Sequence, residues 1–531
     1  MTLAVVVGAL VLAGARTPNV DDGFIVLVYA RHLIEHHAIY WNVADGAVDG
    51  FTSVADLAQK TLVMALLHGD AVRETHALAI VEHLASVAAG AGIACIAAGP
   101  TWRANVAAAI AALAFATNVA LADATTYWLE TPLYALVALV ALGTLVFAPP
   151  ESRTVRALLA FEWTALALTR PEGLPLAVLF AAWFAIDRAR HLPTRARWGP
   201  GAWFALATVA YLAWHWAYFG ALAPNTFYAK SSDSRWQEVR DGVEYVRAWA
   251  GSDPTRALPV VLLFVTPLAA LAPRWWSSQP LRRAFLVASA AAFVAIAEVI
   301  VEGGDSYDRG RFVAVPLALL FVALAFASQG LAGARVWIPV ASLVVTVAGE
   351  ARHSFSHLDV RLARIAAWPD DGRDFRCEMD LTRLLAKSAT RIAETDFQRM
   401  KWFDDDLDVV DLAGLNDRAR AHERNPGRNQ WGKGGFRDAP ATGAEVLVLG
   451  PRWLYAKSMA TVTTRAIADD PQVARELLGA RFPESARDAL LARYVPAALP
   501  NACGGGYMNF FVRNDRAPVL ASSGAAIGRT E

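Results

Sequence analysis

The chain has 531 residues, of which 55% are hydrophobic and 18% charged, a charged share below the roughly 25% usual for soluble domains. That balance points to a membrane protein. The 49 Lys and Arg equal the 49 Asp and Glu, so no cationic surplus suggests a nucleic-acid partner, and that class is set aside.

Met1 to Ala15 is an unbroken apolar run without the basic residues or cleavage site of a signal peptide. It reads as a first transmembrane helix, although at 1.5 Å per residue it covers only about 22 Å of a roughly 30 Å hydrocarbon core. "DDGFIVLVYARHLIEHHAIYWN" (21–42) follows, with two adjacent carboxylates and then three histidines. Further apolar runs lie at 54–68, 75–98, 103–121, 129–149, 156–187, 200–219, 257–272, 284–301, 311–327 and 334–349. The 54–68 run carries Asp56 and Lys60 and reads as re-entrant or interfacial, whereas 156–187 splits at "TRPEG" (169–173) into two short helices. The chain is polytopic.

Short cytoplasmic loops accumulate Lys and Arg. On that rule "ESRTVR" (151–156), "DRARHLPTRARW" (187–198) and "PRWWSSQPLRR" (273–283) lie inside. The loops at 220–256 and 302–310 and the tail after Glu350 then lie outside.

Beyond Glu350 the composition turns polar, with no run long enough to span. Residues 1–349 are therefore expected to form a membrane domain and 350–531 a soluble α/β domain. "LDVVDL" (407–412), "EVLVLG" (445–450) and "MNFFVR" (508–513) read as strands; "DLTRLLAKSATRIA" (380–393) and "QVARELLGARF" (472–482) read as helices. Of the three cysteines, Cys95 sits in an apolar run, and Cys377 and Cys503 are either a disulfide pair or two free thiols.

Several motifs compete for chemistry. "HLIEH" (32–36) places His32 and His36 one helical turn apart with Glu35, the inverted zinc-protease spacing. Its alternative is the polar face of a juxtamembrane helix, because no third ligand stands out in the sequence. "GRNQWGKG" (427–434) fails as a P-loop, since Gly434 stands where Ser or Thr should hold magnesium. "FDDDLD" (403–408) is a calcium loop or, more simply, a solvated acidic turn. The remaining polar motifs, "DDGF" (21–24), "TRPEG", "PNTFYAK" (224–230) and "GGDSYDRGRF" (303–312), border apolar runs, where charge is costly and usually functional; the structural alternatives are a helix-breaking turn for "TRPEG", a cap for "PNT" and an interfacial anchor for Arg309 or Arg311.

In order, "DDGFIVLVYARHL…YWN…VDGFTS", "LETPLY" (129–134), "TRPEG", "GALAPNTFYAK", "EGGDSYDRGRF" and "VVDLAGLND" (409–417) resemble the polytopic arabinofuranosyltransferases of the GT-C superfamily. The nearest likeness is the actinobacterial terminal β-(1→2) arabinofuranosyltransferase. The resemblance implies a GT-C-like helical membrane fold with a C-terminal soluble α/β domain, seated in a bacterial plasma membrane with its tail extracytoplasmic. It implies sugar transfer from a polyprenyl-phosphate donor to a glycan or lipid-linked glycan acceptor. Asp21 and Asp22 are the catalytic candidates. Arg31, Asp49, Arg170, Glu172, Asn225, Lys230, Asp305, Arg309 and Arg311 are the candidates for binding donor phosphate and substrate. No metal ligand is assigned, although Asp22 holding a divalent cation stays open, and Trp402 and Trp431 are candidate sugar platforms in the tail or, more simply, core tryptophans. A transporter and a zinc hydrolase built on His32, Glu35 and His36 are the alternatives from other classes.

Overall fold

The computed structural model describes residues 1–13, 22–188, 192–269, 271–305, 310–355, 379–380, 382–394, 399–425, 439–448, 466–470, 472–473, 475, 484–500 and 507–528. Its helices are α1 (Thr2–Ala13), α2 (Asp22–His36), α3 (Val54–Leu67), α4 (Ala71–Ala97), α5 (Trp102–Ala116), α6 (Val119–Thr126), α7 (Thr131–Phe147) and α8 (Arg153–Thr169). There follow α9 (Gly173–Trp183), α10 (Thr194–Phe219), α11 (Asn225–Lys230), α12 (Arg235–Gly251), α13 (Pro254–Ala269), α14 (Gln279–Val301), α15 (Ala314–Gly330) and α16 (Trp337–Phe355), with shorter turns of helix in the tail. The chain divides into two compact units. The first is Met1–Asn19, Thr52–Leu222 and Ser234–Ile365; the second is Val20–Phe51, Ala223–Asp233 and Ala366–Glu531. The boundary in space is thus not the single cut at 349/350 that composition suggests.

The first unit is a helical bundle around α15, whose residues from Ala314 to Ser328 are all buried and which packs on α4, α5, α7, α14 and α16. A helix apolar on every side belongs in the middle of a bundle. The periphery is also apolar: Val81, Ile96, Trp203, Leu206, Val209, Leu268 and Ile338 are all more than half exposed. So continuous an apolar exterior suits hydrocarbon rather than water. Ala71–Ala97, Trp102–Thr126, Gln279–Val301, Arg311–Gly330 and Gly333–His353 are long and apolar enough to cross a bilayer. The chain is a polytopic helical membrane protein with a C-terminal sheet domain.

Several local features follow from single residues. The 156–187 run breaks at Pro171, which disfavours helix at the residue before it; Arg170 is extended, with φ −154° and ψ 149°. The 103–121 run is interrupted where Asn118 caps α6, its side chain accepting from the Leu121 N–H. Residues 220–256 are not a loop, as expected above, but contain α11 and α12, the latter capped by Ser234 accepting from Gln237. α1, with 12 residues, and α3, with 14, are too short to span alone. Within α3, Lys60 is buried and donates to Asp56 at 2.7 Å and to the Trp128 carbonyl at 2.5 Å.

In the second unit, β1 (Arg391–Glu394), β2 (Asp408–Asp411), β3 (Val446–Val448), β4 (Tyr494–Pro500), β5 (Tyr507–Arg513) and β6 (Ala526–Ile527) form one mixed sheet in the order β2-β1-β3-β5-β4-β6. β2, β1 and β3 are parallel, and the other pairings are antiparallel. The helical reading of 380–393 is corrected at its end. Arg391–Glu394 is a strand, because Ile392 and Ala393 are enclosed between Val409 and Val410 on one side and Val446 and Leu447 on the other. β2 is an edge strand, and its exposed backbone is answered by a side chain: Asn42 donates to the Val409 carbonyl at 2.9 Å and accepts the Val409 N–H at 3.1 Å. Capping of this kind blunts an edge against foreign strands. Cys377, Cys503, most of the 472–482 segment and the 427–434 motif lie outside the described residues.

Candidate active site

In the first unit, three of the expected residues meet around one cavity. Extended backbone at Arg170 turns its guanidinium toward Glu172, which accepts at 3.1 and 2.5 Å, and toward Glu130, which also accepts from it. Glu130 precedes α7 and Glu172 precedes α9. Arg311 reaches Asp305 through two bonds of 2.5 and 3.1 Å. The Phe312 ring is within reach of both cations, its centroid 4.5 Å from the Arg170 guanidinium and 4.9 Å from that of Arg311. Arg170, Glu172, Arg311, Phe312, Thr131 and Tyr134 line a cavity of about 20 Å³, space for roughly one water.

All five charged residues are at least 93% buried. Burying ions is costly even when they pair, and such pairs are weak evidence of a stabilising role. Inside a membrane bundle such charges are candidates for function. The carboxylates hold each guanidinium plane in a fixed direction. Arg170 makes three hydrogen bonds among the described residues and has five N–H groups to offer, two of them left for an incoming oxyanion.

Glycines shape this corner. Gly304 and Gly310 have φ of +71° and +77°, a region other residues enter only with strain. A Cβ on Gly310 would stand 2.2 Å from Trp249, and one on Gly304 would stand 2.5 Å from Tyr245. The "GGDSYDRGRF" glycines thus allow Asp305 and Arg311 to face each other against α12.

In the second unit, the other candidates are woven into the scaffold. Asp49 accepts the Asn225 N–H at 3.1 Å, and the Asn225 amide donates to the carbonyls of Gly414 and Leu415 at 3.0 and 2.8 Å. Tyr29 donates to Asn416 and accepts from Gly50, at 3.0 and 2.9 Å. Asp411 accepts from the backbones of Ala413 and Asn416 and from the Asn416 amide; burial pushes its carboxyl up to about 6 against the pull of those bonds. "VVDLAGLND" is therefore the knot that ties "YAR", "VDG" and "PNT" together.

Arg31 donates to the carbonyls of Lys401 and Trp402 and to Asp405, each at 2.9 Å, and lies 4.8 Å over the Trp402 ring. Trp402 is thus stacked on an arginine. Lys230 closes α11, and Asp22 opens α2 half-buried, where a carboxylate also suits the positive end of the helix dipole. Asp21, Arg309 and Trp431 lie outside the described residues. His32 uses both ring nitrogens, on the Tyr40 carbonyl at 2.9 Å and on Asp405 at 2.7 Å, so it does not form a zinc pair with His36. Glu130 lies within "LETPLY" but is not among the site candidates of the sequence. Its signal was an acid at the start of an apolar run.

The fold and the buried cluster define a polytopic membrane protein with an arginine–carboxylate centre enclosed by its helices. No family model matches the chain, and no curated protein matches it in sequence. Among solved structures, it is similar to the crystal structure of ArnT from Cupriavidus metallidurans bound to undecaprenyl phosphate. The identity is 13% and the TM-score 0.46, over 97% of each chain. A likeness so remote defines neither activity nor ligand.

Proposed function

We propose that the protein is a GT-C-type membrane glycosyltransferase that moves a sugar, arabinofuranose on the motif resemblance, from a polyprenyl-phosphate donor to a cell-envelope glycan. The observation that carries this reading is the pair of buried, carboxylate-oriented arginines, Arg170 and Arg311, lining one cavity in a bundle with an apolar exterior. A phosphate is a good leaving group and needs cations more than a general acid. A lipid-linked donor belongs in hydrocarbon, which suits the bundle's surface. Transfer requires the acceptor hydroxyl to give up a proton as the sugar–phosphate bond breaks, and a carboxylate is the natural base. Asp21 and Asp22 are the proposed bearers of that role.

The test is incubation of purified protein with radiolabelled polyprenyl-phosphate sugars and glycan acceptors. Transfer is expected from the arabinofuranosyl donor. Asn at the essential member of the Asp21 and Asp22 pair should lower it by about 10²-fold with folding retained. Absence of transfer from every polyprenyl-phosphate sugar would reject the class. Near wild-type turnover in both Asn variants would reject the carboxylate base alone.

A further inference from the structure

We propose that Glu35, His36 and Asp405 form a binding site for one divalent transition-metal ion of the zinc type. Two motifs that the transfer reaction does not use, "HLIEH" and "FDDDLD", lie 367 positions or more apart in sequence, yet the fold of the second unit brings them together. One ligand atom from each of the three residues lies within 4.8 Å of the others. The third ligand that the sequence alone does not reveal is Asp405.

The ligand set is prepared rather than spent. The Asp405 Oδ1 accepts from Arg31 and His32 and lies 3.5 Å from Lys401. Its Oδ2 makes no hydrogen bond among the described residues. His36 and Glu35 stand 4.0 Å apart and are about half exposed, which leaves an open position for water and a path of entry. His32 is not a ligand here. It holds the coordinating carboxylate from behind, the part that outer-shell partners play at metal centres. Glu35 and His36 also sit in the last turn of α2, where the helix dipole favours a cation.

The choice of metal follows from the neighbours. Arg31 and Lys401 offset the charge of Asp405 and so disfavour magnesium or calcium, which are bound by hard oxygen charge. The imidazole is then the discriminating ligand, and nitrogen with carboxylate oxygen suits Zn²⁺ or Co²⁺. Such an ion would clip the last turn of α2 to the acidic turn before β2. None of the three ligands has a part in the proposed transfer reaction.

The test uses the full-length protein in nanodiscs, stripped with chelator and titrated with Co²⁺ and Zn²⁺. One equivalent should bind, with the visible absorption of low-coordinate cobalt. His36→Ala should abolish that signal, and His37→Ala, which changes the adjacent histidine, should keep it. Zn²⁺ should raise the unfolding midpoint of the wild type but not of Glu35→Gln, a substitution at a half-exposed position that leaves folding intact. Equal binding by wild type and His36→Ala, loss in His37→Ala to the same degree, or no stoichiometric binding would overturn the site.

Discussion

Asp411 shows how a single buried carboxylate can be both structural and titratable. It is 1% exposed and accepts three N–H groups, and burial still raises its pKa from 3.8 to about 6. The folded protein keeps this proton to about pH 6, whereas the unfolded chain releases it near 3.8. The stability contributed by protonated Asp411 is therefore full below 3.8 and is lost as pH rises through about 6. Asp411→Asn removes the titration and, by placing an amide against N–H donors, should lower the thermal midpoint at every pH. The gap between wild type and variant should narrow as pH rises from 3.8 to about 6. A gap independent of pH over that window would contradict the assignment. Asp405 behaves oppositely: hydrogen bonding from His32 and the charges of Arg31, His32 and Lys401 outweigh its burial and hold it below the usual carboxylate range. The two aspartates, six residues apart, could not be told apart in sequence.

At the scale of elements, the decisive pieces are turns rather than helices. The stretch from Gly303 to Phe312 works because glycine stands where the chain turns left-handed beside aromatic rings. Gly310→Ala should cost roughly 1 to 3 kcal/mol through backbone strain alone, and displacing the Trp249 ring adds to it. The expected result is a lowered thermal midpoint together with weaker donor use, since Arg311 is the next residue. An unchanged midpoint would show that the turn does not hold the cluster. The break of 156–187 was legible because Pro171 acts on its immediate neighbour. β1 was not: four residues in a central strand carry no alternation to read, and their burial depends on β3, which begins 52 positions after β1 ends. β4 was missed because its prolines and alanines have low strand propensity, and its place is set by β5 and β6.

For the whole molecule, composition was enough to place the chain in a membrane, because apolar runs and an apolar exterior are the same residues seen twice. The change at Glu350 marked one edge of the second unit but not its other parts. Val20–Phe51 and Ala223–Asp233 join it through Tyr29, Trp41, Asn42, Asp49 and Asn225, contacts that span 21 to 387 positions where they tie distant segments. Of the candidate site, Arg170, Glu172, Asp305 and Arg311 were readable as charges beside apolar runs. Glu130 needed the fold, since its partner Arg170 is 40 residues away. Asp49, Asn225 and Arg31 were readable as polar and well placed, but their hydrogen bonds to the scaffold were not. On the proposed function, the Arg170 and Arg311 cluster receives the donor phosphate. This is tested most directly by equilibrium binding of polyprenyl phosphate to the protein in nanodiscs. The comparison is between wild type and the double variant Asp305→Asn with Arg311→Gln, which removes both charges so that neither is buried alone. The double variant is expected to fold and to bind at least about tenfold more weakly, as befits loss of a charge-assisted contact of roughly 1.5 to 3 kcal/mol. Equal affinity in a folded double variant would contradict the claim.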